Sequence, residues 1–185
     1  MIAEIENGMV ATIKAATGMS YLKTCDSYAG QIDEGLNEVV RSYPAVWVTF
    51  GGSAKPTKSG ANTWKVPATF VVMVAARNVR KEKAARVGTV NEVGAYQILK
   101  DVRALLLNQD LGLAIERLAP GAIKTLYNTK VGKDALAIYS QEWTTAFVEH
   151  MPTEAEVNLL KIGINYYIKP GDEVSDASDV LTLTP

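Results

Sequence analysis

Nucleophilic, acid–base or metal chemistry in this chain of 185 residues would have to start from one histidine and one cysteine. His150 sits beside Met151 and Pro152 at the end of an apolar segment, with no cysteine or carboxylate cluster at ligand spacing, so it completes neither a zinc site nor a catalytic triad. Cys25 lies in "KTCDSY", where a nearby lysine would lower the thiol pKa, but no base is paired with it. It reads as a small core or surface residue. Gly51, Gly52 and Ser53 followed by Lys55 lack the GK[ST] tripeptide and the helix of a phosphate loop. No GxSxG, HExxH, CxxC or GxGxxG pattern occurs. Asp172, Glu173, Asp176 and Asp179 superficially resemble a calcium loop without its glycine and closing glutamate, and read instead as a solvated acidic tail. An enzyme would need a site assembled from the scattered Asp33, Glu34 and His150, which match no recognised constellation. Nothing in the sequence calls for a cofactor or a metal, and the chain reads as a non-enzyme.

Charge offers a different lead. The stretch "AARNVRKEKAAR" holds Arg77, Arg80, Lys81, Lys83 and Arg86 against the single acid Glu82, in a chain whose formal charge is only −1. No global field draws the protein to nucleic acid or an anionic membrane, so any such affinity must be local. Three readings of the cluster stand side by side: a solvated connection, a nucleic-acid contact, and a protein-docking surface. The nucleic-acid reading wants interleaved aromatics for stacking, and the nearest, Phe70 and Tyr96, lie outside the cluster. For docking, the chain supplies its own complement: Asp172, Glu173, Asp176 and Asp179, set against the basic cluster of a neighbouring copy, suit a head-to-tail ring.

These residues need elements to carry them. A composition of 48% hydrophobic and 21% charged residues is that of an ordinary globular protein, and the length suits one domain. The lone cysteine excludes an internal disulfide, and no apolar run approaches the roughly 18 residues needed to span a bilayer. The N-terminal "MIAEIE" has two acids and no positive region, unlike a secretory signal. The chain is therefore expected in a reducing cytosol.

Ile2, Ile5, Met9 and Ile13 recur at helical spacing, predicting an amphipathic helix with Glu4, Glu6 and Lys14 turned elsewhere and a glycine cap near Gly18. A short strand is expected at Tyr21 to Thr24, then a second helix over Asp33 to Ser42, stopped by Pro44. Ala45 to Phe50 reads as a strand, 53–63 ("SAKPTKSGANT") as a polar, hairpin-like excursion, and Trp64 to Ala76 as another strand. Pro67 points to an edge position or a bulge. Phe70 to Val74 is apolar on both faces, as expected of a strand covered on both sides or running into a partner subunit. A long helix is predicted from about Thr89 to Asn108, with Gly94 inside it at a cost of about 1 kcal/mol that implies close packing there. Pro120 and Gly121 signal a turn. Ile123 to Thr129 and Ala135 to Val148 read as an antiparallel hairpin joined at Gly132 to Asp134. Leu159 to Ile168 is a last strand, ended by Pro170 and Gly171 and followed by the acidic tail at 170–185. Strands clustered with few intervening helices favour an α+β domain with a mostly antiparallel sheet flanked by two or three helices.

The strings "IENGMVATIKA", "YAGQIDEGLNEVVRSYPAVWVTFGG", "FVVMVAARNVRKEKAAR" and "YYIKPGDEVSDASDVLTL" together resemble the small protein that Mu-like contractile-tailed phages and prophages encode just before the tail-sheath gene. The resemblance runs from Ile5 to Leu183 and carries no catalytic motif. Through its genomic place and its similarity to tail terminators, it implies a single tail-terminator-like domain over 1–185. It further implies a ring, of six copies, that caps the tail tube and sheath and receives the head–tail connector. Such a protein would be found in the bacterial cytoplasm during assembly and at the head-proximal end of the virion tail. The rival reading, a nucleic-acid-binding module using 77–86, gains some ground here because DNA passes through a tail lumen.

Overall fold

The β-branched and aromatic runs do become the sheet. In the computed structural model, which describes residues 1–30, 42–78, 82–90, 92–131 (129–131 as backbone alone), 134–151, 161–168, 171 and 173–182, the chain forms two compact units, Met1–His150 and Met151–Pro185. The first unit is α+β. Its elements are α1 (Ile2–Ala15), a 3₁₀ turn (Thr17–Met19), β1 (Thr24–Ser27), β2 (Ala45–Gly52), β3 (Thr57–Lys58), β4 (Thr63–Asn78), α2 (Glu82–Val87), α3 (Ala95–Leu106), β5 (Ala119–Val131) and β6 (Asp134–His150). The strands are ordered β1-β2-β4-β6-β5, with β3 also on β4. Among the described residues, only β1 with β2 is parallel.

Alternation along β4 and β6 gives the sheet two apolar faces. One carries Val66, Phe70, Val72, Val74, Ala137, Tyr139, Trp143 and Phe147, and the helices pack on it through Ile5, Met9 and Ile13 of α1 and Ile98, Val102 and Leu106 of α3. The other holds a smaller buried group, Tyr43, Ala45, Trp47, Met73, Ala75, Leu136 and Ile138. The two-faced apolar run at 70–74 is thus a strand covered on both sides.

Several elements sit differently from the sequence expectation. α1 ends at Ala15, its cap residue Ala16 is extended (φ −75°, ψ 115°), and Gly18 lies inside the 3₁₀ turn rather than forming a left-handed cap. The first strand begins at Thr24, three residues later than predicted. Glu6 is not turned away: it accepts hydrogen bonds from Ser27 Oγ and, at 3.1 Å, from the Phe50 N–H, beside the irregularity between Phe50 and Gly52 where β2 leaves register with β4. Pro67 lies in a central strand. The side of β4 that carries β3 at Trp64 and Lys65 and β2 from Thr69 onward is unpaired between them, so the proline sits at a gap in the ladder. Pro120 and Gly121 make no turn but lie within β5, at a shift in its pairing with β6. The expected helix at Asp33 to Ser42 falls almost wholly outside the described residues.

The long helix begins at Ala95, not Thr89, and Gly94 is its N-cap. Val90 is fully exposed, so the apolar period was carried by α3 alone. Close packing at Gly94 is real: a Cβ there would overlap the backbone N of Gly88 and the carbonyl O of Arg86. Gly88 itself has φ +89°, a conformation that disfavours any other residue. These two glycines let the connection from α2 fold back against the start of α3. Gly94→Ala must displace backbone, and it should lower the stability of the full-length chain by about 2 kcal/mol or more, read from its urea midpoint at unchanged m-value.

The second unit contains a hairpin, β7 (Lys161–Tyr166) and β8 (Ala177–Thr182), paired antiparallel. The segment expected to be a solvated tail therefore includes a strand. Ser175 to Asp179 has no apolar alternation, which is why β8 escaped notice in the sequence.

Candidate functional site: charged ends and open edges

β4 ends in the charged region, and its last residues are tied down. Arg77 pairs with Asp134 at 3.7 Å, joining the end of β4 to the start of β6. Asn78 Nδ2 donates to Glu92 Oε2, linking β4 to the segment that leads into α3. Lys83 and Arg86 are carried by α2, with Lys83 exposed and Arg86 half-buried. Arg86 faces the Tyr139 phenol: burial and the hydrogen bond with the Tyr96 hydroxyl push that phenol up to about 12, while the guanidinium pulls it down. Arg80 and Lys81 lie outside the described residues, as does Asp172. Of the described cations, then, Arg77 spends its charge on Asp134, Arg86 lies against an aromatic pair, and Lys83 is presented to solvent.

The acids fall in the hairpin unit. Asp176 Oδ2 accepts from the Ile168 N–H at 2.8 Å, and the Asp176 N–H donates to the Tyr166 carbonyl at 2.9 Å. Asp179 Oδ2 accepts from the Tyr166 hydroxyl at 3.4 Å. Glu173 is exposed in the turn. Asp176 therefore shapes the β7–β8 connection, a local role like that of an Asx turn.

Of the titratable groups that catalysis would draw on, His150, Tyr21 and Cys25 are described. His150 is exposed at the end of β6, opposite Thr63. Asp33 and Glu34 lie outside the described residues, and among the described residues no three metal-ligating side chains converge. A groove of about 720 Å³ runs between the end of α1 and α3, lined by Ala16, Met19, Tyr21, Gln97, Asp101 and Leu105. In it Tyr21 donates to Asp101 at 2.7 Å, and burial followed by this bond raises the phenol pKa. Tyr21 is thus a protonated tie between the α1 connection and α3, and no base for a reaction. Cys25 is half-buried, and burial outweighs the Lys14 charge and pushes the thiol up to about 11. Its Sγ lies 3.9 Å from the Val10 carbonyl.

What sequence reasoning missed is the outer flank of β5. This thirteen-residue strand ends the sheet and leaves Ile123, Leu126 and Tyr127 exposed. Its signal was present in the sequence as "IKTLYNT", whose weak alternation reflects apolar residues on both faces. No helix among the described residues is long and apolar enough to cross a membrane.

The sequence model of a family described as Bacteriophage Mu, Gp37 matches residues 1–148, nearly the whole of the first unit. A Mu-like prophage FluMu protein gp37 of Haemophilus influenzae is 32% identical over 124 residues. That alignment covers 66% of this chain and 55% of the relative, so the chain accounts for little more than half of the relative's length.

Two measurements check the groups just described. With its pKa about two units above that of a free thiol, Cys25 should react with iodoacetamide at pH 8 on the order of a hundredfold more slowly than free cysteine, followed by mass spectrometry. Cys25, Tyr43 and Tyr139 also hold their protons to higher pH in the fold than in the unfolded chain. Their contribution is complete at neutral pH and is lost from about pH 9 upward as the unfolded chain ionises first. The urea midpoint should therefore be flat from pH 7 to about 9 and fall toward pH 11; a rise over that upper range would contradict the assignment.

Proposed function

The chain belongs to the bacteriophage Mu Gp37 family, and from that premise we propose that it is a non-enzymatic structural protein of a contractile phage tail, forming a ring that ends tube and sheath polymerisation and offers the surface for head joining. The observation that carries this reading is the family match, which takes in nearly all of the helix-backed sheet unit. The partners of such a protein are copies of itself, most simply six, together with tube, sheath and connector proteins. Its mechanism is interface matching. One face of the ring copies what a tube or sheath ring presents to the next subunit, and the opposite face does not accept another ring.

The molecule suits that task. Its core is a sheet that buries apolar side chains on both faces of β2, β4 and β6, while charged side chains and the open β5 edge remain outside it. Chemistry at such a surface requires shape and charge complementarity, with no bond made or broken. Lys83, exposed on the short α2, is the described cation best placed for contact with another subunit or with a tail protein.

Deleting the gene from an inducible prophage should give tubes and sheaths of uncontrolled length in electron micrographs. Tails of normal, uniform length would sink the terminator reading. Arg80→Glu with Lys83→Glu should leave the thermal transition in place and impair tail maturation; normal tails would make the cluster solvated surface only. In the same samples, a DNA-binding titration across salt concentrations separates the nucleic-acid reading. A slope of log affinity on log salt, with affinity persisting at physiological salt and no binding to tail fragments, would favour it.

A further inference from the structure

The hairpin unit has apolar side chains and nothing of its own to bury them in. In the register of β7 with β8, Ile162 faces Leu181, Ile164 faces Asp179 and Tyr166 faces Ala177, while Lys161 with Thr182, Gly163 with Val180 and Asn165 with Ser178 occupy the alternate positions. Paired residues share a face of a two-stranded ribbon. One face is therefore Ile162, Ile164, Tyr166, Ala177 and Leu181 with the single acid Asp179 among them, and the other is mainly polar apart from Val180. Ile162, Tyr166 and Leu181 are 36%, 47% and 53% exposed, and no described residue of this unit is buried. A two-stranded ribbon is at best marginally stable in water and becomes persistent when its apolar face and a free edge find partners.

The first unit offers a strand edge of the complementary kind. β5 is long and leaves its outer flank unpaired among the described residues. Pairing with β6 is irregular between Pro120 and Ile123 and between Thr125 and Tyr127, but it runs without a shift from Tyr127 to Val131. Five regular residues suit a six-residue strand such as β8. Exposed Leu126 and Tyr127 lie beside that stretch. A long regular edge flanked by exposed apolar side chains is a template for strand addition.

Charge selects the occupant. Residues 117–133 carry Arg117, Lys124, Lys130 and Lys133 and no acid, with Lys124 alone known to meet an acid, Glu142 of β6, whereas 172–179 carry Asp172, Glu173, Asp176 and Asp179 and no base. β8 brings Asp179 to the pairing strand itself, and β7 begins with Lys161, so β8 is the better match to a cationic edge. We propose that the C-terminal hairpin is an assembly arm that adds β8 to the 127–131 edge of β5 in a second copy of this chain, extending that copy's sheet by two strands. Donor and acceptor surfaces differ, so the contact is head-to-tail and propagates around a ring. In choosing a second copy as the occupant, the inference rests on the ring reading above.

The test uses the full-length chain. An equimolar mixture of ¹⁵N-labelled and unlabelled protein is treated with a carbodiimide, which joins amines to carboxylates in direct contact, and the products are mapped by mass spectrometry. Lys124 and Glu142, 2.6 Å apart within one chain, give the same-isotope control. Mixed-isotope links between lysines of 117–133 and acids of 172–179 are the expected result. Same-isotope links alone would mean that the hairpin lies on its own sheet, and no links would mean that it does not meet β5; either overturns the proposal. Leu181→Asp should weaken self-association, followed by sedimentation, at least tenfold while leaving the main thermal transition unchanged. Undiminished association of this variant would also overturn it. An intact chain that associates without the mixed links would sink the arm and leave the ring standing, whereas the ring is judged separately by tail length in the deletion strain.

Discussion

Everything in the first unit hangs on the antiparallel pairing of β4 with β6. All sixteen residues of β4 face a partner, from Thr63 opposite His150 to Asn78 opposite Ala135, with no shift in register. A one-residue slip of β4 against β6 would send Phe70, Val72 and Val74 to the face that now buries Met73 and Ala75 while Trp143 and Tyr139 stayed on the helix-backed side, splitting the core. Toward the Asn78 end both faces are apolar, so alternation alone does not forbid the slip there. At the level of Phe70 and Trp143 the opposite face holds Thr69, Val71, Glu142 and Thr144, so a slip there would set Phe70 against Glu142 or Thr144.

The pairing also explains why the connections carry the tight geometry. The 55 residues between Asn78 and Asp134 must leave the sheet, cover its face with α2 and α3, and return as β5 to the far side of β6. Gly88 and Gly94 permit the sharp reversal into α3, and Arg77 with Asp134 and Asn78 with Glu92 fasten its two ends. At the other margin, Glu6 supplies an acceptor to the Phe50 N–H where the β2–β4 ladder is interrupted. Polar groups thus appear where the ladder or the helix packing leaves a backbone group to satisfy.

Legibility in the sequence follows the same physics. Strands β2, β4 and β6 announced themselves because they are long, β-branched and bounded by Gly51–Gly52, the polar 53–63 excursion and the 132–134 turn. The helical period at Ile98, Val102 and Leu106 was equally clear, but Val90 and Val93 extended it falsely, since two valines at a spacing of three carry no information about whether the backbone is helical. Pro120 and Gly121 were read as a turn because composition does not distinguish a turn from a shifted edge strand. The basic cluster was visible as charge, yet the pairing of Arg77 with Asp134 needed the register of β4 on β6. β8 was the least legible element: in a ribbon with little apolar content, alternation is too weak to stand out from a solvated segment.

An open sheet with unlike edges has a definite logic for assembly. The β1 edge is four residues long and bears the exposed Asp26, with Lys14 at 3.7 Å, which suits an edge guarded by charge. β5 is more than three times longer and regular over its last five residues. β5 carries two cations, Lys124 and Lys130, and no acid of its own, with Lys124 already paired with Glu142 of β6 at 2.6 Å, so two β5 edges set together about a two-fold axis would have no opposite charge to offer each other. The sequence of β5 therefore offers a second β5 no opposite charge, while leaving this edge open to a strand that carries acids. That bias turns an edge, ordinarily a liability, into a directional contact, and direction is what a closed ring of identical subunits requires.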